Sequence, residues 1–313
     1  MPGQPHPDAR IDPILTDLSI AYQNNVYIWE NVFPIVPTEE KSARYYVFDK
    51  SEWTRDEAQR RAPGNSSEGG DFPLSDDRYN CEERAYHTKL PDESADTVGE
   101  DIDLEEGKVN FVTEKIMLKA ERDIADLVFD AGNWDTVENI TDDEDRFDDY
   151  NNSDPVGVFE DNIDDVESKT GQMVNTMVLG SEVWRYLKHH PQILDRMAVD
   201  NLRTATIDTL SAILEIDNIL VGRARVNNAK RGADDNFERV WGKHCWLGHV
   251  ADNPGPQIPS AGYTFIWPRE GQIRGVRRWR DEDTHSDKIE AFQSDDKKVT
   301  GSDLGAFIQN AIS

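Results

Sequence analysis

The sequence predicts an α+β protein, and three observations carry that prediction. Apolar residues recur at helical spacing in two charged segments, Ile116, Ala120, Ile124, Leu127 and Ala131 in one and Val156, Phe159, Ile163 and Val166 in the other. Short apolar runs of strand type stand at 173–179, 219–221, 240–250 and 262–267. Between 154 and 267 the order reads helix, strand, helix, helix, strand and then strands, which is a compact mixed lobe rather than a regular alternation. At 313 residues the chain allows one large or two modest domains.

Along the chain, residues 1–12 are Pro-rich and polar and read as a tail. The stretch from Ile14 to Glu40 has apolar residues without a clean period, and Pro34 and Pro37 interrupt it. It predicts an ordered arm that lies on something else. Tyr45–Phe48 and Tyr79–Leu90 read as extended flanks around RAPGNSSEGGDFP, whose Gly and Pro content marks a loop, so a long projecting hairpin is expected. A helix is expected over 110–131, ended by Gly132. Asp154-Pro155 has the form of an N-cap followed by Pro at the first helical position, with Gly171 at the far end. Helices over about 181–190 and 206–215 follow, the first stopped by Pro191. The segment IRGVRRWRDEDTHSDKIEAFQSDD predicts a long charged hairpin before the closing Leu304–Ile308 run. No fixed-period repeat is present.

Composition excludes several classes. The chain has 62 acidic and 34 basic side chains, for a net charge of −28. That balance disfavours wrapping nucleic acid by counterion release, which needs clustered Lys and Arg. No run reaches the roughly 20 apolar residues of a membrane helix. The N-terminus has no basic-then-apolar signal pattern. Two cysteines, Cys81 and Cys245, make no disulfide framework and read as buried thiols. The acidity is Asp-rich and Lys-poor, with 38 Asp to 24 Glu and 13 Lys to 21 Arg. Repulsion among so many carboxylates is screened at molar salt, where the Debye length is about 3 Å, so a halophilic source is expected.

The search for chemistry ends without an active site. His244, Cys245 and His249 are the tightest group of metal-ligand types, but their spacing matches no zinc pattern, and neighbours in an extended segment point to opposite faces. His189 and His190 precede Pro191 at a helix end, where imidazole complements the dipole. The acidic run 141–154 fails as a calcium loop. Counted from Asp143, Asp148 stands where the sharp turn needs Gly, and Asp154 where the last ligand should be Glu. No nucleophile elbow, P-loop or dinucleotide fingerprint is present. Arg274, Arg277, Arg278 and Arg280 form the densest basic patch, which suits pairing with acidic neighbours or a partner chain, with nucleic-acid contact as the second reading. No catalytic, cofactor-binding or metal-ligating residue is assigned, and no cofactor is expected.

Taken together, NFVTEKIMLKAERDIADLVFDAGNW, NSDPVGVFEDNIDDVESKTGQMVNTMVLGSEVWRYLKHHPQILDRM, ILVGRA and GYTFIW resemble tailed-phage major capsid proteins. The order of these pieces is consistent from about Leu15 to Phe307. The resemblance implies the Hong Kong ninety-seven phage capsid fold. It would place an N-terminal arm at 1–42, an extended loop at 43–88 and a peripheral domain at 89–153 with a spine helix at 110–131. An axial domain would span 154–270, and 271–313 would return to the peripheral domain. It further implies a virion capsid protein, assembled in the host cytoplasm from hexameric and pentameric capsomers around double-stranded DNA held by weak non-specific contact. Separate scaffolding, portal and cementing proteins are the partners this implies, and no membrane. With the acidic composition, the expected source is a halophilic archaeal tailed virus.

Two features limit what carries over. The matching region begins near Leu15, which implies a separate scaffolding protein or none. Lys41, Lys50 and Lys89 flank the loop without a crosslinking motif, so no crosslink is assigned. An encapsulin-like shell that packages protein cargo is the alternative within the same fold. An acidic halophilic enzyme is the rival outside it.

Overall fold

Two β-sheets share the long central helix of the chain and divide the work of burying its apolar residues. The computed structural model describes residues 9–22, 26–48, 56, 60–61, 66, 74–92, 104–196, 204–255, 258–269 and 271–313. Strand β1 (Arg10–Ile11) and helices α1 (Pro13–Ala21) and α2 (Trp29–Val32) precede β2 (Ile35–Pro37). Strands β3 (Ser42–Phe48), β4 (Leu74–Asn80) and β5 (Glu82–Pro91) lead to the long helix α3 (Leu104–Val128). Then come β6 (Thr136–Asn139), α4 (Pro155–Thr170), β7 (Thr176–Gly180), α5 (Ser181–Leu187), α6 (Pro191–Asp195) and α7 (Ile207–Leu214). The chain finishes with β8 (Asn218–Gly222), β9 (Arg225–Asn227), β10 (Phe237–Arg239), β11 (Cys245–Gly248), β12 (Gly262–Ile266), β13 (Arg274–Asp281), β14 (Ser286–Val299) and β15 (Gly305–Gln309).

The first sheet is built on β14. Ser286–Asp295 of this 14-residue strand pair antiparallel with β5 along one edge; along the other the strand pairs with β13 and then β12. β1 extends the sheet beyond β13, and β2 runs parallel to β12. Helix α3 lies on this sheet through Val109, Val112 and Ile116, which pack with Val276, Ile289 and Ala291. Its apolar positions recur at helical spacing, so one stripe is buried along its length.

The second sheet has the order β6-β15-β11-β7-β8. Its alternation is legible residue by residue. Met177, Leu179, Cys245, Leu247, Ala306 and Ile308 face the core under α4, α5 and α7. Val178, Trp246 and Phe307 face the opposite core, where Ile124 and Val128 of α3 arrive with Trp134 and Trp241. Helix α4 has its expected ends: the Asp154 carboxylate accepts the Gly157 N–H at 3.0 Å, Pro155 opens the helix, and Gly171 closes it at φ 66°.

Several expectations are corrected. The long helix spans 104–128, not 110–131. Asp130 takes an extended conformation and accepts the Gly132 N–H, so a separate 3₁₀ turn replaces the last helical turn. The arm is more regular than its composition suggests. Asp12 caps α1 by accepting the Ile14 and Leu15 N–H groups, and residues 10–11, expected in a tail, pair with β13. The hairpin closes earlier than expected. Its strands are Ser42–Phe48 and Leu74–Asn80, and at Cys81 the chain turns into β5, which belongs to the body sheet. Within 240–250 only Cys245–Gly248 is a strand, because Gly242 turns the backbone at φ 45°. Sheet membership also departs from the grouping 154–270. β12 joins the first sheet, while β6 and β15 complete the second. The loop tip around 62–73 lies almost wholly outside the described residues.

Candidate assembly interface

The surfaces that could join one copy to another depend on how the arm and hairpin are seated, and α3 seats the arm. Ser19 Oγ and Thr113 Oγ1 share a buried hydrogen bond of 2.8 Å. The next residue of α3, Glu114, accepts the hydroxyls of Tyr22 and Tyr27. Arm residues also bond the body sheet. The Asp12 N–H donates to the Val276 carbonyl at 2.9 Å, and the Arg274 guanidinium donates to the Ser19 carbonyl at 3.2 Å. The expectation that the arm lies on something else is therefore met, for the described residues 10–22 and 26–37, by the chain's own helix and sheet.

Glu121 is the deepest of these contacts. Its carboxylate is fully buried and accepts the Ile28 N–H at 3.0 Å, the Trp29 N–H at 2.9 Å and the indole N–H of Trp241. One side chain thus joins the arm, the long helix and the second lobe. Burial pushes the carboxyl up to about 7, while the Trp241, Trp29 and Ile28 donors pull it down. Sequence reading missed Glu121, because one Glu in a charged helix carries no local mark of burial; its place in the apolar stripe, four residues after Met117, was the available signal.

The hairpin is rooted on β12. Tyr79 stacks on Phe265 at 4.7 Å between ring centroids, and Tyr45 lies 5.2 Å from the same ring. Tyr45 donates to Asp77 across the two strands at 2.8 Å.

The arginine patch is engaged within the chain. Arg277 holds Glu83 through two bonds of 2.9 and 3.0 Å, reaches Glu290 at 3.2 Å and lies 3.6 Å over the Phe292 ring. Arg278 joins Glu105 and Asp287, and Arg280 forms a two-pronged pair with Asp92. Arg274 is nearly buried. Pairing with acidic neighbours, the first reading of this patch, is what Arg277, Arg278 and Arg280 do, while Arg274 bonds the Ser19 carbonyl.

Other residues singled out in the sequence stand apart. His244 accepts the Asn310 N–H at Nδ1, whereas the His249 ring meets the Met173 carbonyl. Cys245 is buried, and burial pushes its thiol up. Burial also raises the Cys81 thiol to about 11, which leaves it a poor nucleophile. His190 is buried with Nε2 against Ser153 Oγ at 3.1 Å, and burial lowers its pKa. Among the described residues no three His, Cys, Asp or Glu side chains converge as a metal set. Lys41 is exposed, Lys89 approaches Asp281 at 3.9 Å, and Lys50 lies outside the described residues. Among the described residues no helix is long and apolar enough to cross a membrane.

A mixed α+β body carrying a seated arm and a rooted hairpin defines a phage-capsid type of structural subunit, and solved structures support that class. A phage-related protein from Bordetella bronchiseptica RB50 superposes with a TM-score of 0.78 at 27% identity, covering 97% of this chain and 98% of that one. The capsid of cyanophage P-SCSP1u (TM-score 0.60) and an encapsulin of Synechococcus elongatus PCC 7942 (0.52), each 9% identical, share the fold. The first alignment covers 92% of this chain and 89% of the other, the second 92% and 91%. The major capsid protein of Burkholderia phage BcepMu is 30% identical over 270 residues, 82% of this chain and 83% of that protein. That of Pseudomonas phage JBD67 is 26% identical over 325 aligned positions, covering 96% and 97%. The chain belongs to the family of tailed-phage major capsid proteins, and its place is the virion capsid. No protein-family model matches it.

Proposed function

We propose that the chain is the shell subunit of a tailed-virus head, assembling through hexameric and pentameric capsomers into an icosahedral container for double-stranded DNA. The observation that carries this reading is the 30% identity to a major capsid protein over most of both chains. In the capsid reading α3 is the spine helix of a peripheral domain built on the β14 sheet. The five-stranded sheet is the axial domain, residues up to 37 are the arm, and 42–80 form the extended loop. Sheet membership supports these bounds better than the contiguous spans expected from sequence, since β6 and β15 flank the axial segment on both sides in the chain. The role is structural, not enzymatic. DNA contact in this reading is weak and non-specific, given the net charge of −28. Scaffolding, portal and cementing proteins complete the set of partners.

The Asp-rich surface supports a salt-rich setting, that of a halophilic archaeal virus, in which the long-range repulsion between like-charged subunits is screened. Thermal stability measured against salt tests that part. Full stability at about 0.1 M, where the Debye length is still about 10 Å, contradicts it.

The fold shared with an encapsulin sustains one alternative, a protein-filled compartment. Portal, terminase or scaffolding genes beside this one favour the virus, and a cargo enzyme gene in their place favours the compartment. Electron microscopy of the purified chain tests the shell itself: closed particles are expected, and a protein that stays monomeric under all salt conditions contradicts it.

A further inference from the structure

At one end of the five-stranded sheet the two edges carry opposite charge: the far end of β8 is basic, although its start exposes Asp217, and the turn beyond β6 is acidic. At the β8 edge a cavity of about 350 Å³ is lined by Arg185, Lys188, Arg223, Arg225 and Arg239 together with Trp184. In a chain with nearly two acidic residues for each basic one, five cations around one cavity are a strong local inversion. Only Arg239 has an acidic partner there, Glu182 at 3.0 Å; among the described residues Lys188, Arg223 and Arg225 form no ion pair. At the opposite edge, the turn that follows β6 exposes Asp142, Asp143, Glu144 and Asp145; Arg146 binds Asp143, and at the start of β6 Lys169 bonds Thr136 and is paired with Asp165. Val137 on the β6 edge is exposed at 39%, and Phe237, on the β9–β10 hairpin that follows β8 and carries Arg225 and Arg239, is exposed at 63%.

These two charged faces cannot satisfy each other within one molecule. With three strands between them, and so four spacings of about 4.8 Å, the edges lie about 19 Å apart. That exceeds two Debye lengths of about 8 Å at physiological salt. A second copy of the chain can bring them into contact. We infer that the β8 edge of one copy docks against the β6 edge and acidic turn of the next, in a head-to-tail contact that repeats around a capsomer ring. Such a contact is heterologous, so it does not stop at a dimer, and a rotation between copies that closes, as in a capsomer, makes it a ring. Its charges set register and partner choice, and the exposed Phe237 and Val137 supply the apolar contact that a nucleic acid would not need. This inference rests on the capsid reading and names the contact through which that capsid would form.

Paired charge reversals test it. Arg223→Glu with Arg225→Glu places acid against acid, and Asp143→Lys with Glu144→Lys places base against base. Each pair lies on exposed positions, so folding is checked by circular dichroism. Each reversal alone should lower the yield of assembled particles by about tenfold or more, the effect of about 1.4 kcal/mol per contact. The chain carrying both reversals restores opposite charge across the contact and should assemble within about twofold of the parent. An equimolar mixture of the two single-reversal chains should form six-membered rings with the copies alternating, whereas five-membered rings, which cannot alternate, should stay unrepaired. Reversals that assemble as well as the parent overturn the contact and leave the capsid reading standing, as does a combined chain that fails like either single one. Loss of assembly with only the basic edge reversed, unrepaired by the acidic-edge change, points to bound nucleic acid at that cavity and also overturns it. A parent chain that forms neither rings nor particles overturns both.

Discussion

Glu121 accepts the indole N–H of Trp241 across 120 positions of sequence, and this contact holds the long helix to the second lobe. The same carboxylate receives two N–H groups from the start of α2, so three separate parts of the chain converge on one charge. Removing it leaves three donors without an acceptor. Glu121→Ala is expected to cost about 2–4 kcal/mol of stability, read from the urea midpoint, because buried unsatisfied donors carry most of their desolvation penalty. A loss below about 0.5 kcal/mol would contradict the hub.

The pH dependence of that site has a definite sign. The folded carboxyl is raised to about 7 by burial, from an ordinary value of 4.5. A raised acid stabilises the fold fully below its unfolded value and loses that contribution as pH climbs through its folded one. The stability of the parent relative to Glu121→Gln should therefore fall between pH 4.5 and 7, by an amount on the order of 3 kcal/mol. Denaturation curves of the two chains that stay parallel across this range would contradict the prediction.

Arg277 offers the opposite case. Its guanidinium lowers the Glu83 carboxyl below its ordinary value, so the pair stabilises above that value and weakens as pH falls through the folded one. Lys cannot reproduce the two-pronged bond or the stacking on Phe292. Arg277→Lys should cost about 1–3 kcal/mol at neutral pH, with the difference narrowing on acidification.

Two glycines are required by close approach. A Cβ on Gly222 would lie 2.1 Å from the Trp241 ring, and one on Gly262 would lie 2.4 Å from Phe33. Alanine at either position should destabilise by about 1–3 kcal/mol. Gly107 in α3 has nothing within 4 Å of an added Cβ, so Gly107→Ala should raise stability by about 0.5–1 kcal/mol. Thermal melts of the three variants check both signs together.

Deleting residues 63–73, in the segment of sequence between β3 and β4, addresses the extended loop. In the capsid reading this should leave folded, soluble subunits that do not close into particles. Normal particles from the deletion would remove the loop from the assembly mechanism.

How much was legible in the sequence depended on whether the signal was local. Asp154-Pro155 and Gly171 define both ends of α4 in sequence and in structure. The same Asp-Pro signal at Asp12-Pro13 opens α1, but there the apolar pattern is blurred, because residues such as Ser19 and Thr16 are buried polar groups bonded to α3 and β13. Strand membership was harder. GYTFIW reads as a strand from its residues alone, but its partners Ile35–Pro37 and Asp295–Val299 are remote in sequence and assign it to the first sheet. The arginine patch was visible as a patch. Its partners Glu83, Glu105 and Asp92 were not, because they lie more than 170 positions away. The opposed charges of the second sheet could not be seen at all until the fold placed β6 and β8 at its two edges.

The central claim is that this acidic chain is built to tile a closed shell, and electron microscopy of the purified protein across a salt series tests it most directly. The account predicts uniform icosahedral particles. Monomers or irregular aggregates at every salt concentration would contradict it.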